Sequence, residues 1–257
     1  MLRRISTNLR KQNWGQAFFE LTIVAVGILM ALQVDRWREE SNNREIEQEY
    51  LSRLSDDIDE DIQSLNRGVN IAELRRTFAE LLMAVAENPD LALESPQDFL
   101  VAIHQSAFTF TPALTSNTFD ELRSTGNMRL LRNTELKNAL FSYYRYDQGQ
   151  RQFIDLQQAQ EIRHFERAAG VLTNSQAKRI DDEWGVVGLT NIEEVRNSTI
   201  DLAEVEAAVN RFLNKPDFIA WLPISYGMQI ELAETNGERL RLATELQEIL
   251  REAQENS

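Results

Sequence analysis

One stretch limits what this chain can become. Between Trp14 and Trp37 the sequence reads WGQAFFELTIVAVGILMALQVDRW, and from Ala17 to Val34 its only polar side chains are Glu20, Thr22 and Gln33. Eighteen helical residues rise roughly 27 Å, close to the hydrocarbon thickness of about 30 Å. Trp14 and Trp37 fall roughly 35 Å apart along such a helix, where interfacial aromatic anchors sit. A cleavable signal peptide is the rival reading, because a basic start precedes a short apolar region. The run closes on Gln33-Val34-Asp35-Arg36-Trp37, which offers no small-x-small cleavage site, and Ala25-Val26-Gly27, which fits one, lies mid-run. The expectation is an uncleaved anchor: a basic head over 1–13, a transmembrane helix over 14–37 and an extramembrane domain over 38–257.

Charge divides the chain in the same place. Residues 1–38 carry six Lys/Arg against Glu20 and Asp35, a balance of +4, and the remaining 21 basic and 39 acidic residues leave −18 beyond them. An acidic body lacks the clustered basic footprint that a phosphate backbone needs, so nucleic acid is excluded as a partner. A short basic N-terminus ahead of a long acidic domain predicts a cytoplasmic N-terminus and a body outside the cytoplasm. There is no Cys, hence no disulfide, thiolate site or cysteine nucleophile.

At about 100° per residue, Glu20, Gly27 and Ala31 fall on one face of the span, with Thr22 and Gln33 on the other side. Gly27-x-x-x-Ala31 is a small-xxx-small pair that lets a second helix approach closely, and a carboxyl in lipid needs a partner or a route to the interface. Two readings stand side by side: this face meets another membrane helix or a second copy of the chain, or Glu20 merely snorkels towards Trp14. A proton-relay role has no second carboxylate in a single span.

The run Glu20-Leu-Thr-Ile-Val-Ala-Val-Gly27-Ile-Leu-Met-Ala-Leu-Gln33-Val-Asp-Arg-Trp37 resembles the N-terminal signature of a family of uncharacterised bacterial membrane proteins, roughly E-x-x-L-V-x-x-G-I-L-I-A-L-Q-I-N-N-W. Glu20, Gly27, Ile28, Ala31, Leu32, Gln33 and Trp37 match, while Val34-Asp35-Arg36 stands in place of Ile-Asn-Asn. A second segment, Thr118 to Asn133, is similar to that family's L-x-x-S-G-x-L-x-x-I-x-N stretch through Leu122, Gly126, Met128, Leu131 and Asn133. The likeness covers most of the first 145 residues. It implies a single-pass protein of the bacterial cytoplasmic membrane with a helical domain, and it supplies no activity.

Beyond Trp37, Ile46, Tyr50, Leu54, Ile58, Ile62, Leu65 and Val69 recur at spacings of three and four, one stripe of an amphipathic helix continuous with the span or closely following it. Leu74, Phe78, Leu81 and Val85 carry it to Asn88-Pro89, with Gly68 as a candidate kink. Ser95-Pro96 opens a helix to about Phe108, and Thr109–Thr115 reads as a loop. Asn117 or Thr118 caps a short helix ending at Gly126, and Asn133 caps a long one to about Ala169, closed by Gly170. Val171–Ser198 shows no sustained period and reads as connector. Asp201-Leu-Ala-Glu204 starts a helix to Leu213, Lys215-Pro216 another that is interrupted at Pro223, and a final long helix ends near Gln254. One-sided stripes of this length can be buried only along one another, which predicts an all-α fold: an elongated antiparallel bundle standing on the membrane.

Chemistry is sparse. Asp57, Asp59 and Asp61 alternate as in a calcium loop, but Ile62 and Gly68 occupy the positions that need Gly and Glu, so a solvated acidic helix face is expected. His104 and His164 lack ligand spacing; Glu161 precedes His164 by three, without the second such pair that a bundle metal site requires. Both read as surface or half-buried histidines. No nucleotide, hydrolase or metalloprotease motif occurs, so no catalytic residue and no cofactor is expected. Phe141, Tyr143, Tyr144 and Tyr146 form the densest aromatic region, read as core packing with a ligand-facing wall as the alternative. Trp184, in the connector, is either part of a functional loop or a hydrophobic plug. The expected role is a non-catalytic interaction, accessory or scaffold subunit held in the bilayer, with an extracytoplasmic ligand-sensing bundle as the second class.

Overall fold

The computed structural model describes residues 14–183, 189 and 192–256; the side chains of 14–17, 151, 152 and 183 lie outside the description. The fold is all-α, and no strand occurs among the described residues. Its frame is three long helices: α1 (Trp14–Glu87), α5 (Thr134–Ala168) and α10 (Leu222–Glu255). The shorter elements are α2 (Leu91–Glu94), α3 (Pro96–Gln105), α4 (Asn117–Thr125), α6 (Asn174–Lys178), α7 (Ile192–Arg196), α8 (Leu202–Leu213) and α9 (Pro216–Ile219).

Hydrogen bonds fix the register. As α1 climbs from Leu51 to Asp59, α10 descends past it: Gln254 donates to the Leu51 carbonyl (3.1 Å) and Gln247 to Asp59 (2.9 Å). α5 runs the same way as α1, with Tyr143 donating to Asp61 (2.9 Å). The expected stripe is the buried one: Tyr50, Leu54, Ile58 and Leu65 pack against Leu136, Leu140, Leu246 and Leu250 in the core nearer the span. A second core at the far end joins Phe78, Leu82 and Val85 to α3, α8 and α9 through Phe99, Phe212 and Phe218.

Gly68 does not break α1. The helix continues through it, and the missing Cβ makes room for a crossing segment: a Cβ there would lie 2.9 Å from Asn236 Nδ2 and 3.2 Å from Pro112 Cδ. Gly126 and Gly170 take positive φ (75° and 84°) and end α4 and α5, the conformation a helix terminus of this kind requires.

Four local expectations are corrected. The 171–198 connector holds α6, a π-helical turn over Arg179–Glu183, and α7. Five-residue helices are too short to display a period, although the Thr173-x-x-Gln176 capping box was legible. Ser116, rather than Asn117 or Thr118, occupies the N-cap position of α4, where its hydroxyl makes no capping bond and donates instead to the Asp120 carboxylate (2.8 Å). α3 ends at Gln105 rather than Phe108, because the chain there turns into a strap between the helices. Asp201 caps α8 as expected, but Glu204 pairs with Arg179 (3.0 Å) rather than completing a box.

Candidate functional sites: the bare span and the buried polar belt

α1 is 74 residues long, about 110 Å at 1.5 Å per residue. The rest of the described chain packs only on its later part. From Phe18 to Glu45 no side chain is buried, and Phe18, Ile28, Leu29 and Met30 are more than half exposed. The best 18-residue window has a mean hydropathy of 1.8, so α1 contains a segment long and apolar enough to cross a bilayer. A contiguous apolar surface of this size is not sustained in water by a monomer. Thr22 satisfies its own hydroxyl by donating to the Phe18 carbonyl (2.8 Å). Glu20, Gly27 and Ala31 all lie on this uncovered length, and among the described residues nothing outside the helix's own neighbouring turns stands within 4 Å of a Cβ placed on Gly27. Trp37 is exposed at the end of the span; the Trp14 side chain lies outside the described residues.

Between the two apolar cores runs a polar belt built around the segment 106–116. An irregular segment lodged among helices must still pair its backbone groups, and here the long helices supply the partners from their side chains. Gln229 donates to the carbonyls of Ser106 (3.1 Å) and Phe108 (3.0 Å), Asn236 to Phe110 (3.2 Å), and Arg239 to Pro112 (2.7 Å). From the other side, the Thr109 N–H and hydroxyl both donate to Glu161 (2.9 and 2.7 Å), and the Thr115 N–H donates to Asp61 (2.8 Å). Tyr144 closes the far end by donating to the Thr115 carbonyl (2.8 Å).

Asp61 therefore leaves the solvated acidic face assigned to 56–61; it is 1% exposed. Burial pushes its pKa up to about 6, against the lowering effects of the Thr115 N–H, the Tyr143 hydroxyl and Arg239. The signal was present, since Leu54, Ile58, Asp61 and Leu65 share one spacing of four, three and four. A carboxylate in that phase faces inward however acidic its neighbours are.

His164 is likewise buried rather than half-exposed, held between Ser225 Oγ and the Ile103 carbonyl (3.1 Å each). Burial lowers its pKa to about 4. His104 stands 3.5 Å from Asp181 on a partly open face, and burial lowers its pKa more than that carboxylate raises it. Glu161 serves Thr109 and not a metal with His164, and no group of three or more His, Cys, Asp or Glu suited to a metal ion occurs among the described residues.

The aromatic cluster divides by depth. Tyr143 and Tyr144 are buried, Tyr146 is half-buried and Phe141 exposed. The Tyr144 ring stacks on Phe119 at 4.3 Å and 17°. Trp184 lies outside the described residues. Reading by residue type overlooked Arg239, 1% exposed, whose guanidinium reaches Pro112, Asn236 and Asp147 (2.5 Å to the last). Arg239 lies in phase with Leu232, Ala243, Leu246 and Leu250 on the inward stripe of α10, while Arg241 and Arg251 on the same helix do not, so its position rather than its residue type carries the mark of burial. No family model, curated protein or solved structure matches the chain.

Proposed function

We propose that the protein is a non-catalytic helical subunit anchored in the membrane by residues 14–37, which presents its acidic body to another membrane protein or to a second copy of itself as an accessory or scaffold component. The observation that carries this reading is the unbroken α1: one helix is bare and apolar over its first part and is the central strut of the bundle over its later part. About 15 Å of exposed helix separates Trp37 from Glu47, the first buried residue, so the body stands clear of the headgroups on a stiff stem. Such a mount transmits position and orientation between membrane and body without a flexible linker. The family resemblance of the span agrees with a bacterial cytoplasmic membrane, and the basic head with a cytoplasmic N-terminus and a periplasmic body.

Crosslinking in native membranes, followed by identification of what co-purifies, tests the role. A specific partner or self-crosslink is expected; a monomer without companions would refute it. Single Cys residues at 45 and 255 test the orientation, with labelling by an impermeant thiol reagent expected in intact spheroplasts and labelling only after lysis overturning it. A second reading, a ligand-sensing bundle that signals through a partner, is favoured by one observation: a cavity of about 310 Å³ beside the strap, lined by Phe119 and Tyr144 among others.

A further inference from the structure

α1 carries the bundle on one side only, and its contacts mark where that side ends. Tyr50, Leu54, Ile58 and Leu65 define the buried line. On one flank, roughly 100° or more from that line, Ser55 and Asp59 are held by Gln247 of α10 (3.0 and 2.9 Å). On the other flank, at roughly 100°, Arg53 is held by Glu121 of α4 (2.5 Å). The arc that remains, about 120° wide, has none of the described residues packed on it: Glu45, Glu49, Ser52, Asp56 and Glu60 are all exposed.

Followed down the unbroken helix, the same arc contains the span face. Glu20, Gly27 and Ala31 lie within roughly 40° of the point opposite the buried line, and steps of three and four from Ala31 reach Val34, Arg38, Asn42 and Glu45, each exposed. A helix seated on Gly27 and Ala31 therefore leaves the bilayer on the bare side of α1, with the bundle behind it. Between 45 and 60 that side carries four carboxylates, from Glu45, Glu49, Asp56 and Glu60, over about 22 Å, and the one basic residue in the interval, Arg53, is on the flank with Glu121. None of the four forms a salt bridge among the described residues. Two copies of a single-pass chain in one membrane point the same way, so a second copy packed along this face would set each carboxylate against its own twin and bring together two bodies of −18 each. Like charges in register disfavour that occupant, and a basic one satisfies the whole row.

We infer that the bare arc of α1 over 45–60 is the docking surface for a different membrane protein, which lays one helix beside Gly27 and Ala31 and pairs a Lys/Arg-rich segment, next to its own span and on the same side of the bilayer as the body, with Glu45, Glu49, Asp56 and Glu60. The inference rests on the accessory-subunit reading and names the partner's chemistry and the face that it meets. The bundle then stands on the outside of the complex, with α1 between it and the partner.

The chain has no Cys, so single substitutions report single positions. Ser52→Cys and Asp56→Cys on the arc, and Glu135→Cys and Glu248→Cys at exposed positions of α5 and α10, are treated in native membranes with a short thiol-to-amine crosslinker. The expected result is one adduct of the same mass from both arc positions, different from that of two copies and absent from the other two, with the linked lysine in the partner's segment next to its span. Adding Glu45→Arg, Glu49→Arg and Glu60→Arg to Ser52→Cys should lower the adduct roughly tenfold or more, whereas Glu135→Arg with Glu248→Arg should leave it unchanged; circular dichroism verifies that both variants remain folded. An adduct undiminished by the arc reversals would overturn the basic partner, and one with the mass of two copies would overturn the different protein while leaving a scaffold role. Adducts from 135 and 248 but not from the arc would overturn the docking face alone. No adduct at any of the four positions would overturn the face and the accessory reading together.

Discussion

Asp61 and His164 titrate against each other, and removing one should expose the other. The Asp61 carboxyl has a folded-state pKa raised from 3.8 to about 6, so the folded state holds a proton that the unfolded state has lost between those values. Stability from this group rises as pH falls through 6 and is complete below 3.8. His164 is depressed from 6.5 to about 4, so the unfolded state takes up a proton that the folded one refuses, and stability is lost as pH falls from 6.5 to 4. At about 1.36 kcal/mol per unit, going from pH 7 to 4.5 gains roughly 2 kcal/mol through Asp61 and loses roughly 2.5 through His164. The two nearly cancel. Asp61→Asn keeps an acceptor for Thr115 and Tyr143 but removes the compensation, so acidification should destabilise that variant by roughly 2 kcal/mol more than the wild type. His164→Gln should do the reverse, losing less stability than the wild type or gaining some. The assay is urea unfolding of residues 41–257 followed by circular dichroism at both pH values, taken as the difference between variant and wild type so that other carboxylates drop out. Parallel pH dependences for wild type and Asp61→Asn would refute the burial argument.

Three further outcomes follow from the packing. Gly68→Ala should destabilise by about 1 kcal/mol or more in urea unfolding, because its Cβ would press on Asn236 and Pro112 and loosen the hold on Phe110, whereas Gly237→Ala, in open space on α10, should stabilise by up to about 1 kcal/mol. Leu54→Asp places a carboxylate without a partner in the span-proximal core and costs several kcal/mol against a total of about 5 to 15, so loss of the cooperative transition is expected. Gly27→Ile should insert normally yet lose the partner or self-crosslink, with Glu20→Gln separating charge from size; retention of every membrane contact by both variants would reduce the span to a passive anchor.

The apolar run, the stripe from Tyr50 to Leu65 and the terminators Gly126 and Gly170 were legible in the sequence because each is a local matter: hydropathy over 18 residues, a period of 3.6, a backbone conformation that favours glycine. The all-α architecture follows from them, since long one-sided helices have few ways to bury their stripes. Where the chain crosses itself was a different matter. That Thr109–Thr115 threads between the long helices, that Asp61 and His164 are sealed inside, and that Gly68 exists for the approach of Asn236 and Pro112 all depend on residues tens to more than a hundred positions away. Helical phase turns Asp61 and Arg239 inward, but it names no partner for them. The packing of α5 and α10 against α1 decided how those inward-facing groups would be satisfied once they lost their water, and it did so by bringing a strap of backbone into reach that they could pair.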